Sequence, residues 1–225
     1  SFMNFWSTRL EIEFTPVGVH DFYEPRVDLR SYYRYPGVAV DAYLSTDSRK
    51  KLYARLMLDA GTNSSPYNQN SYNVSVEPTY RVNDKLKLAW EFRYAGKNND
   101  IGYVDRTEAE DSVYFGMRQM RTVENTIEAS YIFTSRSYLS FRLRHYWSKA
   151  DYQDKYYILQ EDGYLEPTDN FAGVEDINFN TFNIDMSYVW RFAPGSEMSF
   201  VWKNSIYSFS DQLPADFIDN LNLTF

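Results

Sequence analysis

The chain has 225 residues, a net charge of −8 and no cysteine, so it offers neither a disulfide framework nor a thiolate metal site. Its acidity argues against nucleic acid as a partner, because phosphate binding needs a concentrated basic face. Aromatic residues make up 19% of the chain, with 21 Tyr, yet mean hydropathy is −0.56, so large rings must alternate with polar residues. No run approaches the roughly 18–20 consecutive apolar residues of a transmembrane helix, which excludes helical spans. The opening SFMNFWSTRL has no charged stretch followed by an apolar one, and is expected to start a mature chain or an internal fragment. Nothing in the composition marks a boundary between two domains, so one is expected.

The first element sets the pattern for the rest. Over residues 2–14, Trp6, Thr8, Leu10, Ile12 and Phe14 share one parity while Ser7, Arg9, Glu11 and Glu13 share the other. Period-two alternation sends these sets to opposite faces of a β-strand. Further strands are predicted near 37–45, 51–60 and 71–82, then 85–96, where Leu86, Leu88, Trp90, Phe92 and Tyr94 oppose Lys87, Glu91 and Arg93. The next two lie near 121–133 and 137–148; in the latter, Leu139, Phe141, Leu143 and Trp147 oppose Ser140, Arg142 and Arg144. The last three fall near 179–192, 196–208 and 217–225. In the first of these, Phe182, Ile184, Met186, Tyr188 and Trp190 oppose Asn183, Asp185 and Arg191.

The connections alternate between short and long. STDSRK, VNDK, TSRS and APGS are rich in turn-forming residues, and between them lie loops near 15–36, 61–70, 97–120, 149–178 and 209–216. Outer-membrane barrels have short periplasmic turns and longer extracellular loops. The alternation therefore gives each strand a direction and puts Phe225 at the periplasmic rim. VYFGM at 113–117 also reads as β, but as a spanning strand it would break this parity, so it is expected to be a hairpin arm or strand extension outside the membrane. The fold class expected is all-β: an antiparallel transmembrane barrel of about ten strands in this chain. A soluble β-sandwich is the rival, since alternation also describes a sheet with one buried face.

Several segments resemble, in this order, a known family: FYEPRVDLRSYYRYP with STDSRKK, then GMRQMRTVENTIEASYIFTSRSYLSFRL, then WRFAPGSEMSFVWKN. Together they are similar to the carboxy-terminal barrel region of the Bacteroidota outer-membrane family called domain of unknown function 5916. The resemblance implies that these strands are the last part of a larger barrel, preceded in longer members by a carbohydrate-binding-like module. It brings no catalytic residues.

Candidate functional residues fall into groups, each with two readings. Arg9, Glu11, Glu13, Asp41, Arg55, Asp59, Glu91, Arg93, Arg118, Glu128, Arg142, Arg144, Asp185 and Arg191 face inward, to line either a selective passage or a salt-bridged, self-filled lumen. Tyr32, Tyr33, Tyr35, Trp147, Tyr152, Tyr156, Tyr157 and Tyr164 lie in the outer loops, where they would stack on sugar rings or pack the loops and the membrane interface. Trp6, Trp90, Trp190 and Trp202 suit an interfacial girdle. Leu221, Leu223 and Phe225 form a terminal alternation that resembles the signal read by the outer-membrane assembly machinery, without its usual upstream glycine.

DRTEAED and EDGYLEPTDN hold hard oxygen ligands but no complete calcium-loop spacing. His145 has the apolar parity, with Asn125 as its expected cross-strand neighbour, but Ser140 and Ser148 have the opposite parity. No catalytic site, metal or cofactor is therefore expected. The expected partners are membrane lipid and lipopolysaccharide, the assembly machinery and other outer-membrane proteins. The expected function is a channel or uptake-associated barrel whose loops contact a glycan or nutrient. The alternative is a non-transporting barrel acting as a subunit of a larger complex.

Overall fold

A computed structural model describes residues 5–109, 112–173 and 176–210. Among them there are twelve β-strands and no helix: β1 (Ser7–Thr15), β2 (Val19–Asp21), β3 (Tyr32–Arg34), β4 (Gly37–Ser45), β5 (Leu52–Asn63) and β6 (Asn70–Arg81), followed by β7 (Leu86–Arg106), β8 (Val113–Thr134), β9 (Ser137–Leu159), β10 (Leu165–Thr168), β11 (Ile177–Ala193) and β12 (Ser196–Ser210). Ten of them form one antiparallel sheet in the order β1-β4-β5-β6-β7-β8-β9-β11-β12, with β10 alongside β9, while β2 and β3 form a separate hairpin. The sheet is a meander, each long strand pairing with the next long strand in sequence. Its edges, β1 and β12, are not paired with each other, so among the described residues the sheet is open.

Nine of the ten strands expected from alternation are the nine of this meander. The tenth, 217–225, lies outside the described residues together with Leu221, Leu223 and Phe225. The short turns work by side-chain capping. In the β4–β5 turn, Asp47 accepts from the Arg49 backbone N–H at 3.0 Å and from the Arg49 guanidinium at 2.9 Å through each oxygen. In the β6–β7 turn, Asn83 Oδ1 accepts from the backbone N–H groups of Lys85 and Leu86, both at 2.9 Å. Such local bonds make Asp and Asn turn residues.

The register puts the charged residues on one face. Arg93 stands opposite Ser75 and Glu124, and Arg142 stands opposite Glu128 and Asp185. The other face carries Leu10, Ile12, Phe14, Trp90, Ile127, Phe200 and Trp202, all exposed, with Ile12 at 65% and Phe14 at 69%. On β6 this apolar face runs from Tyr80 through Val76 and Val74 to Tyr72, a span of about 27 Å at the usual rise per residue.

The three central strands outrun their neighbours, with 21, 22 and 23 residues in β7, β8 and β9. Much of the expected 97–120 loop is therefore strand, and VYFGM is the first part of β8. Among the described residues, a cluster of buried hydrophobic side chains sits in these extensions: Ile101, Val113, Phe115, Met117, Tyr157 and Leu159 close around Tyr32 from the 16–36 connection. The buried core thus lies at the long-loop end of the sheet and fastens that connection to it.

Candidate functional site

The charged face is covered by cross-strand pairs of opposite sign. Arg55 meets Glu77 at 3.0 Å, Arg93 meets Glu124 at 3.4 Å, Arg142 meets Glu128 at 3.2 Å and Arg191 meets Glu197 at 2.8 Å. Asp185 lies 3.8 Å from Lys203, and Arg9 pairs with Glu11 on its own strand. Asn73 links two of the expected residues, donating to Asp59 and accepting from Arg93 Nε at 2.7 Å. Exposed pairs of this kind contribute little stability. Their effect here is to clothe one whole face in polar atoms.

Two departures from pairing stand out. Glu11, Asp41 and Asp59 are direct register partners across β1, β4 and β5, an acidic row that parity alone did not reveal, because it depends on which strand residues fall side by side. Glu13, Glu91 and Arg144, for their part, make no ion pair among the described residues. Of these, Glu13 borders a cavity.

That cavity, of about 350 Å³, opens on the charged face at its long-loop end. Its floor is one row of the sheet, Glu13–Ala39–Gly61–Ser71–Lys97. The three central positions are small, which makes the hollow. A Cβ on Gly61 would stand 3.2 Å from Ser71 Oγ and 3.7 Å from Ala39 Cβ. One side of the cavity is an amide pair, Asn63 Nδ2 donating to Gln69 Oε1 at 2.9 Å; the bond from Asn98 Nδ2 to Asn70 Oδ1 lies on the opposite face, where Asn98 Oδ1 also accepts from Arg121 at 2.7 Å. Asn99, with φ of 51°, forms the bulge that turns Asp100 and Ile101 onto the cavity rim.

The cavity's roof is the β2–β3 hairpin, which contributes Tyr32, Arg34 and Tyr35. Several long-range bonds hold it in place. The Tyr33 backbone N–H donates to the Gly163 carbonyl at 2.8 Å, Arg30 donates to the Leu159 carbonyl, and the Tyr103 backbone N–H donates to Glu24 Oε1 at 3.0 Å. Arg26 sits over the Tyr103 ring, 4.6 Å from its centroid. Gly163 is at φ 86°, and a Cβ there would stand 3.0 Å from the Ser31 carbonyl, so glycine suits this contact.

Within the hairpin, Arg34 Nε bonds Asp21 Oδ2 at 2.6 Å and Arg34 Nη2 lies 3.6 Å from Glu24 Oε2. Burial raises the Asp21 carboxyl, but the Arg34 bond and the backbone N–H groups of Tyr23 and Glu24 outweigh it, leaving the group below the usual carboxylate range. Burial, helped by Tyr35 and Tyr157, pushes the Tyr67 phenol up to about 12.

The expected loop aromatics divide by burial. Tyr32, Trp147, Tyr156 and Tyr157 are buried. Tyr33 is half-buried between Tyr35 and Tyr164, at ring-centroid distances of 5.2 and 4.8 Å, and Tyr164 is 43% exposed. Tyr67, not singled out from sequence, joins this cluster through Tyr35 and Tyr157. Arg118 bonds Asp100 at 2.8 Å and Tyr152 at 3.3 Å beneath the cap.

On the apolar face His145 is opposite Asn125, the expected neighbour, but its Nε2 shares a hydrogen bond with Asn180 Oδ1 at 2.8 Å. Trp147 Nε1 similarly donates to Asn178 Oδ1 at 2.7 Å. Ser148 meets Thr122 on the charged face at 3.3 Å, away from His145. Among the described residues no group of three or more acidic or histidine side chains is arranged to hold a metal ion.

The residues missed from sequence are those of the amide pair, together with Glu77, Glu124, Glu197 and Lys203. The NQN run at 68–70 was the available signal, an amide-rich stretch between β5 and β6 at the long-loop end.

The architecture defines an all-β protein: an antiparallel meander with one charged face, one apolar face and a tyrosine-rich cap over its long-loop end. The chain belongs to the family described as a domain of unknown function, DUF5916, whose model matches residues 1–225. No curated protein and no solved structure matches it.

Proposed function

We propose that the chain forms the wall of a β-barrel in a bacterial outer membrane, where it encloses a polar passage used for uptake. The observation that carries this reading is the continuous two-faced sheet. Its exposed apolar face would be a large liability in water, while in lipid it is the required surface. The span from Tyr80 to Tyr72 suits an apolar band about 25 Å tall flanked by aromatic girdles. A closed barrel satisfies the backbone groups of the edge strands β1 and β12, which an open sheet in lipid would not. On this reading the charged face lines the lumen, membrane lipid and lipopolysaccharide surround the apolar face, and the assembly machinery inserts the chain.

The cap supports a second reading, a non-transporting barrel whose loops meet partner proteins, because it roofs part of the charged face and fixes the 16–36 connection. Two measurements separate the possibilities. Heat-modifiable migration of detergent-extracted protein is expected for the barrel, and a soluble chain without it refutes the barrel. Reproducible single-channel current in planar bilayers is expected for the passage. Silence, with stable co-purification of other outer-membrane proteins, favours the second reading.

A further inference from the structure

We propose that the cavity beneath the β2–β3 hairpin is a binding subsite for a neutral saccharide of one or two rings at the mouth of the passage. The inference rests on the uptake reading above and adds to it the class of ligand. A volume of about 350 Å³ is at the low end of small-molecule sites, enough for one sugar ring or a pair with part of the second in the lumen.

The lining chemistry selects a neutral polyol. Four charged side chains border the cavity, Glu13, Arg34, Lys97 and Asp100, two of each sign. Both cations are already engaged, Arg34 with Asp21 and Glu24, and Lys97 with Asp100 at 3.6 Å. An anionic ligand therefore finds no free cation and meets two carboxylates. A cationic ligand finds Glu13 alone, because Asp100 already holds Lys97 and Arg118.

What the cavity does offer is Glu13, a carboxylate free of ion pairs among the described residues, and the two amides of Asn63 and Gln69. An amide donates and accepts, as a hydroxyl does, and a carboxylate can accept from two adjacent hydroxyls. Tyr35, half-buried on the roof, supplies ring surface for the C–H side of a sugar. Small side chains at Ala39, Gly61 and Ser71 leave room against the strand backbone. The site thus uses Tyr35 from the outer-loop aromatics expected from sequence, four of which, Tyr32 among them, are buried as packing.

The test uses the full chain in zwitterionic micelles free of sugar head groups. Glucose, maltose, maltotriose, cellobiose and mannobiose are the probes, followed by saturation-transfer NMR. At least one sugar is expected to receive saturation and to be displaced by none of the charged probes glutamate, lysine and phosphate. Ala39→Phe and, independently, Ser71→Phe fill the floor and should abolish the transfer, while Glu13→Gln weakens affinity about tenfold, the loss of roughly one charge-assisted hydrogen bond. Heat-modifiable migration certifies that each variant is folded.

Absence of transfer from every sugar overturns the proposal. So does transfer that survives in both filled variants, or displacement by a charged probe. Planar-bilayer recordings keep the two claims apart. Current that no sugar interrupts, together with absent transfer, sinks the subsite and leaves the passage; sugar binding to a silent protein sinks the passage and leaves the subsite.

Discussion

Truncating Phe115 to alanine tests whether the cap is a cooperative unit held by the core described above. Phe115 is fully buried, and its ring centroid lies 5.1 Å from that of Tyr32. Removing a buried phenylalanine side chain typically costs about 3–5 kcal/mol, the lost transfer term plus a cavity. The residue sits in the extension of β8, above the part of the sheet assigned to lipid, so the cost falls on the cap and not on the spanning strands. Local opening of the β2–β3 hairpin should therefore become easier by roughly two to four orders of magnitude.

Amide hydrogen exchange reads this directly. The Tyr33 N–H, protected by the Gly163 carbonyl at 2.8 Å, should exchange faster by that factor, while the Val76 amide in the middle of β6 keeps its rate. An unchanged Tyr33 rate would refute the packing argument. An equal acceleration at Val76 would show that cap and sheet unfold together.

Other outcomes follow from the same geometry. Arg142→Glu places a third acid beside Glu128 and Asp185 and should move the reversal potential of the passage toward cations; no movement would mean that this wall does not face the conducted ions. Alkali should open the cap. The Tyr67 phenol is raised in the folded state to about 12, so its contribution is complete below the ordinary value near 10 and is lost as pH rises through about 12; absorbance at tyrosinate wavelengths should show a late-ionising fraction. Acid acts oppositely. Asp21 is depressed by Arg34 and backbone donors against the effect of burial, so its stabilisation is present above the unfolded carboxylate value and lost as pH falls through the folded one. Proteolysis within 16–36 should rise in strong acid, and Arg34→Gln should move that onset to higher pH.

The strands were legible because alternation is enforced wherever one face meets charge and the other does not. That condition holds from β1 to β12, so Leu139, Phe141 and Leu143 announced both their strand and their face. It fails where β7, β8 and β9 extend into the cap. There Ile101, Val113, Phe115 and Met117 are buried, the Asn99 bulge shifts the phase, and residues expected in a loop belong to strands. The hairpin strands β2 and β3, with three residues each, have too little local pattern to be read and owe their conformation to Gly163, Leu159 and Tyr103 far along the chain.

The candidate residues followed the same division. Which charges share a face was visible from parity, but the acidic row Glu11–Asp41–Asp59 and the cavity floor needed the register. The cavity itself arises from small residues, which carry no periodic signal. Burial of Tyr32, Tyr156 and Tyr157 was equally hidden, because an aromatic residue in a loop reads the same whether it stacks on a neighbour or faces the medium.

The central claim is that the apolar face meets lipid and the charged face meets water. The chain has no cysteine, so each single-cysteine variant presents one thiol. Cysteines placed one at a time from Tyr138 to Arg144 on β9, in membranes, should react with a polar, membrane-impermeant maleimide in strict alternation. Positions 138, 140, 142 and 144 should label, while 139, 141 and 143 should stay protected. Uniform labelling along the strand, or protection of the charged-face positions in place of the apolar ones, would contradict the account.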